Sequence, residues 1–215
     1  MRAKVQHSSW TASKRESNRR ATPLLRLKLF FLALLSLPAG AAAASPDRSA
    51  AAEIMTLINQ YRSDNGLPAV PYSRALTMVA EAHAADLASD AKGAASGSFG
   101  TDKRGLPCNM HSWSGRGRWT PVCYTADHRY AAGMWSKPRE ITDGAYPWAG
   151  FEIAHWTSGS VTAPVAVAGW ARSPGHNAVI LERGKWKESK WRAMGVGVAG
   201  GFAFVWFGKE PDPQP

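Results

Sequence analysis

Apolar residues recur at helical spacing in the early part of the chain. Over residues 50–64, Ile54, Leu57, Ile58 and Tyr61 follow the i, i+3, i+4, i+7 pattern of one helix face. Asn65-Gly66 stops that helix. Pro68 and Pro71 hold residues 67–72 extended. Ser73 then caps a second helix with the stripe Leu76, Val79, Ala80, His83, Ala84 and Leu87. His83 lies on or beside that stripe, where a histidine is ordinarily partly buried, satisfied and structural. Residues 91–107 are rich in Gly, Ala, Ser and charge and read as a loop, and residues 124–150 are loop-like. Ser173-Pro174 opens a third helix over 173–181: a hydroxyl cap, then a proline where no amide hydrogen is needed. Ala178, Val179 and Leu181 give it a short apolar face. Residues 202–207 alternate aromatic and small side chains as a partly buried strand, after a Gly200-Gly201 hairpin turn. The pattern itself shows no more than these three helices and one C-terminal hairpin.

Residues 1–44 stand apart. A basic segment (Lys14, Arg15, Arg19, Arg20, Arg26, Lys28) precedes an apolar run at 29–37, Pro38 and the tract AGAAAAS. This is the pattern of a secretory signal peptide, with cleavage near Ala44–Ser45. The run is too short to span a membrane, so stable insertion is not expected after cleavage; an uncleaved anchor is the alternative. The leader also changes the charge argument. Of 26 basic and 16 acidic residues, it holds 8 and 1, which leaves 18 against 15, a net of +3. The basic balance thus belongs mainly to the leader and gives no warrant for nucleic-acid binding. The remaining 171 residues suit one domain, over 45–210, with a frayed proline-rich tail at 211–215. Export implies a periplasmic or secreted protein.

An oxidising compartment makes a Cys108–Cys123 disulfide the default, contributing about 3 kcal/mol in the chain-entropy picture. The rival is a metal site of Cys108, His111 and Cys123, which no second Cys-x-x-Cys or His pair completes. His176 falls in the first turn of the third helix, where the helix dipole disfavours imidazolium. A neutral ring there can ligate a metal, accept a proton or orient a ligand; otherwise it plugs the helix end. No HExxH helix and no nucleophile elbow occurs. Ser112 neighbours His111, but adjacent residues of an extended chain point to opposite faces.

The segment W-x-x-SPGH-x-x-x-x-L at 170–181 resembles one typical of bacterial CAP-domain proteins, the superfamily of cysteine-rich secretory proteins, antigen 5 allergens and plant pathogenesis-related proteins. Asn59 and Arg62 are similar to its N-x-x-R helix, residues 66–72 to its connector and 76–85 to its alanine-rich helix. Residues 191–197 (WRAMGVG) resemble its G-V-G strand, so the likeness spans 50–208. It implies an α/β fold: a three-layer α-β-α sandwich round a small, mostly antiparallel sheet. It also places His111, in His-Ser, in a central cleft. Residues 150–154 (GFEIA) resemble the family's G-E-N-I-A element, which carries a cavity glutamate. Without a gap Phe151 takes that position; a one-residue adjustment gives it to Glu152, a lone carboxylate in an apolar stretch that needs a partner if buried. A cleft histidine would supply one; the other reading is an exposed glutamate. The family's second glutamate is absent, because Ser173 stands three residues after Trp170.

The resemblance therefore implies a cleft of His111, Glu152 and His176, with His111 and His176 as ligands for Zn2+ or another divalent cation and no organic cofactor. It points to an extracytoplasmic module that binds a metal or a lipid, peptide or glycan ligand, and the 10 tryptophans suit apolar or glycan partners. The alternatives are a cleft hydrolase, metal-assisted or Ser/His-based, acting on peptides or envelope polymers, and a purely structural role.

Overall fold

The computed structural model describes residues 45–90 and 99–213. The expected signal peptide, part of the 91–107 loop and the last two residues lie outside the described residues. Helix α1 (Pro46–Asp64) begins earlier than the apolar pattern, because Ser45 Oγ accepts from the Arg48 amide and Pro46 occupies the first turn. It ends at Asn65, followed by Gly66 at φ +74°. Helix α2 (Arg74–Ala88) starts at Ser73, whose hydroxyl accepts from the Leu76 amide at 3.0 Å. Asn59 and Arg62 fix the connector between them. Asn59 exchanges hydrogen bonds with Val70 at 2.8 and 3.1 Å, and buried Arg62 donates to the carbonyls of Pro68 and Ile180 and to Glu182.

Residues 124–150, expected as loop, contain two short helices, α3 (Ala131–Trp135) and α4 (Lys137–Ile141). Strand β1 (Gly150–Trp156) follows, then α5 (Ala163–Arg172), α6 (Pro174–Ile180), a 3-10 turn (Gly184–Trp186), β2 (Ala193–Ala199) and β3 (Phe202–Gly208). Helix α5 escaped the apolar pattern because Arg172 is the one polar residue among its ten, so no polar stripe marks the helical period. Its Trp170 donates through Nε1 to the Ala154 carbonyl at 2.8 Å and fastens it to β1. Ser173 does separate α5 from α6, but its hydroxyl makes no cap bond, which corrects the expected N-cap.

The sheet runs β1-β3-β2 with both pairings antiparallel. Strand alternation sorts its two faces. Ile153, Met194, Val196, Val198, Ala203, Val205 and Phe207 pack with Ile54 and Ile58 of α1, Trp170 of α5 and Ile180 of α6. Ala154, Phe202, Phe204 and Trp206 pack with Leu76, Val79 and Ala84 of α2. The result is the three-layer α-β-α arrangement. Gly195 and Gly197 bring α2 directly onto β2: a Cβ at either would lie 2.1–2.2 Å from helix backbone atoms. The tail is not frayed where it is described. Asp212 accepts from Ser73 Oγ at 2.6 Å and from the Ala75 amide at 2.9 Å, a carboxylate placed at the positive end of α2.

Candidate functional site

The site is built from α2, β1 and the disulfide-bonded loop. Glu152 lies on the face of β1 turned to α2, so the carboxylate enters a buried layer and meets two histidines. His83 Nδ1 is 2.6 Å from Oε2, and His111 Nδ1 is 2.6 Å from Oε1. His83 Nε2 is 2.9 Å from the Ser112 carbonyl oxygen. A carbonyl and a carboxylate only accept, so His83 donates through both nitrogens and balances the charge of Glu152. Its ring is sandwiched between Trp113 and Phe204, with centroids 4.1 and 4.2 Å away. Both indole and phenyl faces are attractive to a cationic ring.

His111 differs from His83 in having an open end. It spends Nδ1 on Glu152 and keeps 21% of its side chain exposed, whereas the Glu152 side chain has no exposure. Nε2 makes no hydrogen bond among the described residues. The loop that carries it is held from several sides. Cys108 and Cys123 are bonded to each other, with Cα atoms 5.0 Å apart, and Trp113 and Val122 exchange backbone hydrogen bonds at 2.8 and 3.0 Å. Asp86, three residues after His83 on α2, accepts from the Ser114 amide and hydroxyl. The disulfide removes both sulfurs as ligands and overturns the Cys108–His111–Cys123 metal alternative.

Burial pushes the Glu152 carboxyl up, but the charge of His83 and the hydrogen bonds from His111 and His83 outweigh it, and the net shift is below the usual carboxylate value. Tyr124, whose ring centroid is 5.3 Å from His111, is raised by burial and by the Glu152 charge. His176 is pushed down, first by burial and then by the nearby His111 and His155. The expected direction stands, but desolvation replaces the helix dipole as the leading cause. His155, on the opposite face of β1 from Glu152, is also lowered by burial, and its Nε2 is buried without a hydrogen-bond partner.

The structure therefore joins His111 to Glu152 directly and brings His176 near His111 without a hydrogen bond to either. Sequence reasoning placed His83 as a buried, satisfied histidine and did not pair it with Glu152. Its signal was the polar ring on an apolar stripe, which must find acceptors inside. The Ser112 hydroxyl accepts from the Tyr124 amide at 2.8 Å and points to the Tyr124 carbonyl, away from any role as nucleophile for His111. As a metal centre the donor set is incomplete. Glu152 has both oxygens engaged, His111 has one nitrogen left, and among the described residues no three His, Cys, Asp or Glu side chains are grouped to hold an ion. Beside the loop, a surface pocket of about 450 Å³ is lined by Phe99, Asn109, Met110, Ala126 and Trp156.

Residues 55–203 match the model of the cysteine-rich secretory protein (CAP) family, and the chain belongs to that family. Among solved structures it is similar to an extracellular protein containing an SCP domain from Bacillus anthracis, at 16% identity and a TM-score of 0.49, covering 79% of this chain and 45% of that one. It is also similar to a cysteine-rich secretory protein from Staphylococcus aureus, at 13% identity and a TM-score of 0.45, covering 78% of this chain and 40% of that one. The chain thus spans under half the length of either. No curated protein sequence gives a match. Among the described residues no helix is long and apolar enough to cross a membrane.

Proposed function

We propose that this protein is an exported binding module whose cleft takes an amphipathic ligand, a lipid or an apolar peptide with a polar head. The observation that carries this reading is the clamp on His111. Glu152 holds the ring by Nδ1, and the preceding residue, Met110, lines an apolar pocket with Trp156. A fixed polar group beside an apolar concavity is the usual composition of a small-molecule site. Burial and the nearby charges of His111 and His155 favour the neutral ring of His176. The signal-peptide pattern supports export.

The protein groups present do not make a preformed zinc centre, so no step here passes through a metal. The same clamp gives the hydrolytic reading its one favourable observation: a carboxylate-oriented imidazole is the form of a general base. It lacks a nucleophile beside it, since both cysteines are bonded and the Ser112 hydroxyl is engaged.

Titration of the purified protein with a fluorescent fatty acid and with apolar peptides tests the reading. Saturable binding that weakens about tenfold in His111→Gln, a loss of about 1.4 kcal/mol, is the expected result. Unchanged affinity in that variant contradicts it, and so does turnover of ester or peptide substrates that is lost in the same variant.

A further inference from the structure

The connector between α6 and β2 is not used by the cleft. Residues 183–192 read RGKWKESKWR, five cations and one acid. The rest of residues 45–215 hold 13 basic and 14 acidic side chains, so these ten positions carry the whole positive excess beyond the leader. Arg183, Lys185, Lys187, Lys190 and Arg192 are all exposed. Arg192 meets Glu210 at 3.8 Å, while Lys185, Lys187 and Lys190 form no salt bridge among the described residues. The adjoining acid, Glu182, is turned inward to Arg62 and to the amides of Lys190 and Trp191.

The same connector completes a row of rings. Trp186 lies 5.2 Å from Phe151, and Phe151 lies 5.8 Å from the exposed Trp135, centroid to centroid. Buried Trp191 packs behind Phe151 and Trp186. Lys185 stands 5.2 Å over the Trp186 ring and Lys209 5.4 Å over Phe151. Strand alternation puts Phe151 on the opposite face of β1 from Glu152, so this surface is separate from the cleft.

We propose that this face docks a polyanionic glycan, an extended sugar chain bearing carboxylate or phosphate groups. The rings offer apolar surface to the C–H faces of successive sugars, and the lysines meet the acid groups with a field that the rest of the domain does not oppose. Two other polyanions fit less well. Neighbouring rings of the row meet at 72° and 52°, so they give no parallel platform on which successive flat nucleobases could stack. Phe151 and Trp186 are half-buried and leave Trp135 as the one exposed ring of the row to enter a bilayer.

Affinity electrophoresis of the purified protein through gels containing polygalacturonate tests this, with neutral dextran as control and a thymidine oligonucleotide and phosphatidylglycerol vesicles as competitors. Polygalacturonate should retard the wild type and dextran should not. Affinity should fall about tenfold or more in the triple variant Lys185→Ala, Lys187→Ala, Lys190→Ala, and also in Trp186→Ala. The three lysines are exposed, so the triple variant should keep its circular dichroism even where loss of the half-buried Trp186 disturbs packing. Retardation unchanged in the triple variant, absent in the wild type, or abolished more readily by the oligonucleotide or the vesicles than by free polygalacturonate overturns the proposal.

Discussion

Glu152 is the residue on which the buried layer between α2 and the sheet depends. Removing one partner of a buried, hydrogen-bonded charge pair leaves the other uncompensated, so Glu152→Gln should cost about 3–5 kcal/mol in urea unfolding. A loss within error would mean that His83 and the carboxylate are not an ion pair. His176 supplies a pH dependence of the opposite origin. Its folded pKa is below the ordinary imidazole value, so the unfolded chain binds more protons as pH falls through that value. Stability contributed by the neutral ring is full above about pH 6.5 and declines below it. Between pH 7.5 and 5.0 the wild type should therefore lose more stability than His176→Gln, and equal losses would contradict the burial argument. His111 and Glu152 were expected together from the family resemblance, with the cost of burying a lone carboxylate favouring Glu152 over Phe151, and their 2.6 Å hydrogen bond does not include His176. His83 was legible as a position but not as a partner, because a helix stripe gives the direction of a side chain and not what comes to meet it across the fold.

Helices whose apolar stripe is set off by interleaved polar residues were legible as elements; short helices and one with a single polar residue were not. Helices α1 and α2 carry clear stripes, whereas Arg172 is the one polar residue of α5, and α3 and α4 span one turn or so each. The contact of α2 with β2 is set by an absence of side chain. Gly197→Ala would place a Cβ 2.2 Å from the Ala80 carbonyl carbon, helix backbone that cannot rotate away. It should destabilise by about 1–3 kcal/mol or more and displace α2, and with it His83, from Glu152. Chemical denaturation of Gly197→Ala beside wild type reads this directly, and a neutral effect would show that the two elements are not in close contact. Contacts from outside a segment matter at the chain's end as well: Asp212, in a stretch whose composition is that of a frayed end, supplies the anion that the start of α2 favours.

Across the whole molecule the charge sits unevenly, and the functional surfaces divide along β1. One face of that strand carries Glu152 into the histidine layer; the other carries Phe151 into the aromatic row by the cationic connector. The disulfide ties the His111 loop across a sequence separation of 15, a closure that contributes about 3 kcal/mol in the chain-entropy picture. The central claim is the protonation pattern of the clamp: His83 donating from both nitrogens, His111 donating from Nδ1 alone. Two-bond proton–nitrogen spectra of the imidazoles, assigned with single His→Gln variants, measure it. The structure predicts two protonated nitrogens on His83, and a protonated Nδ1 with a bare Nε2 on His111. A proton on Nε2 of His111, or a bare Nδ1 on His83, would contradict the account.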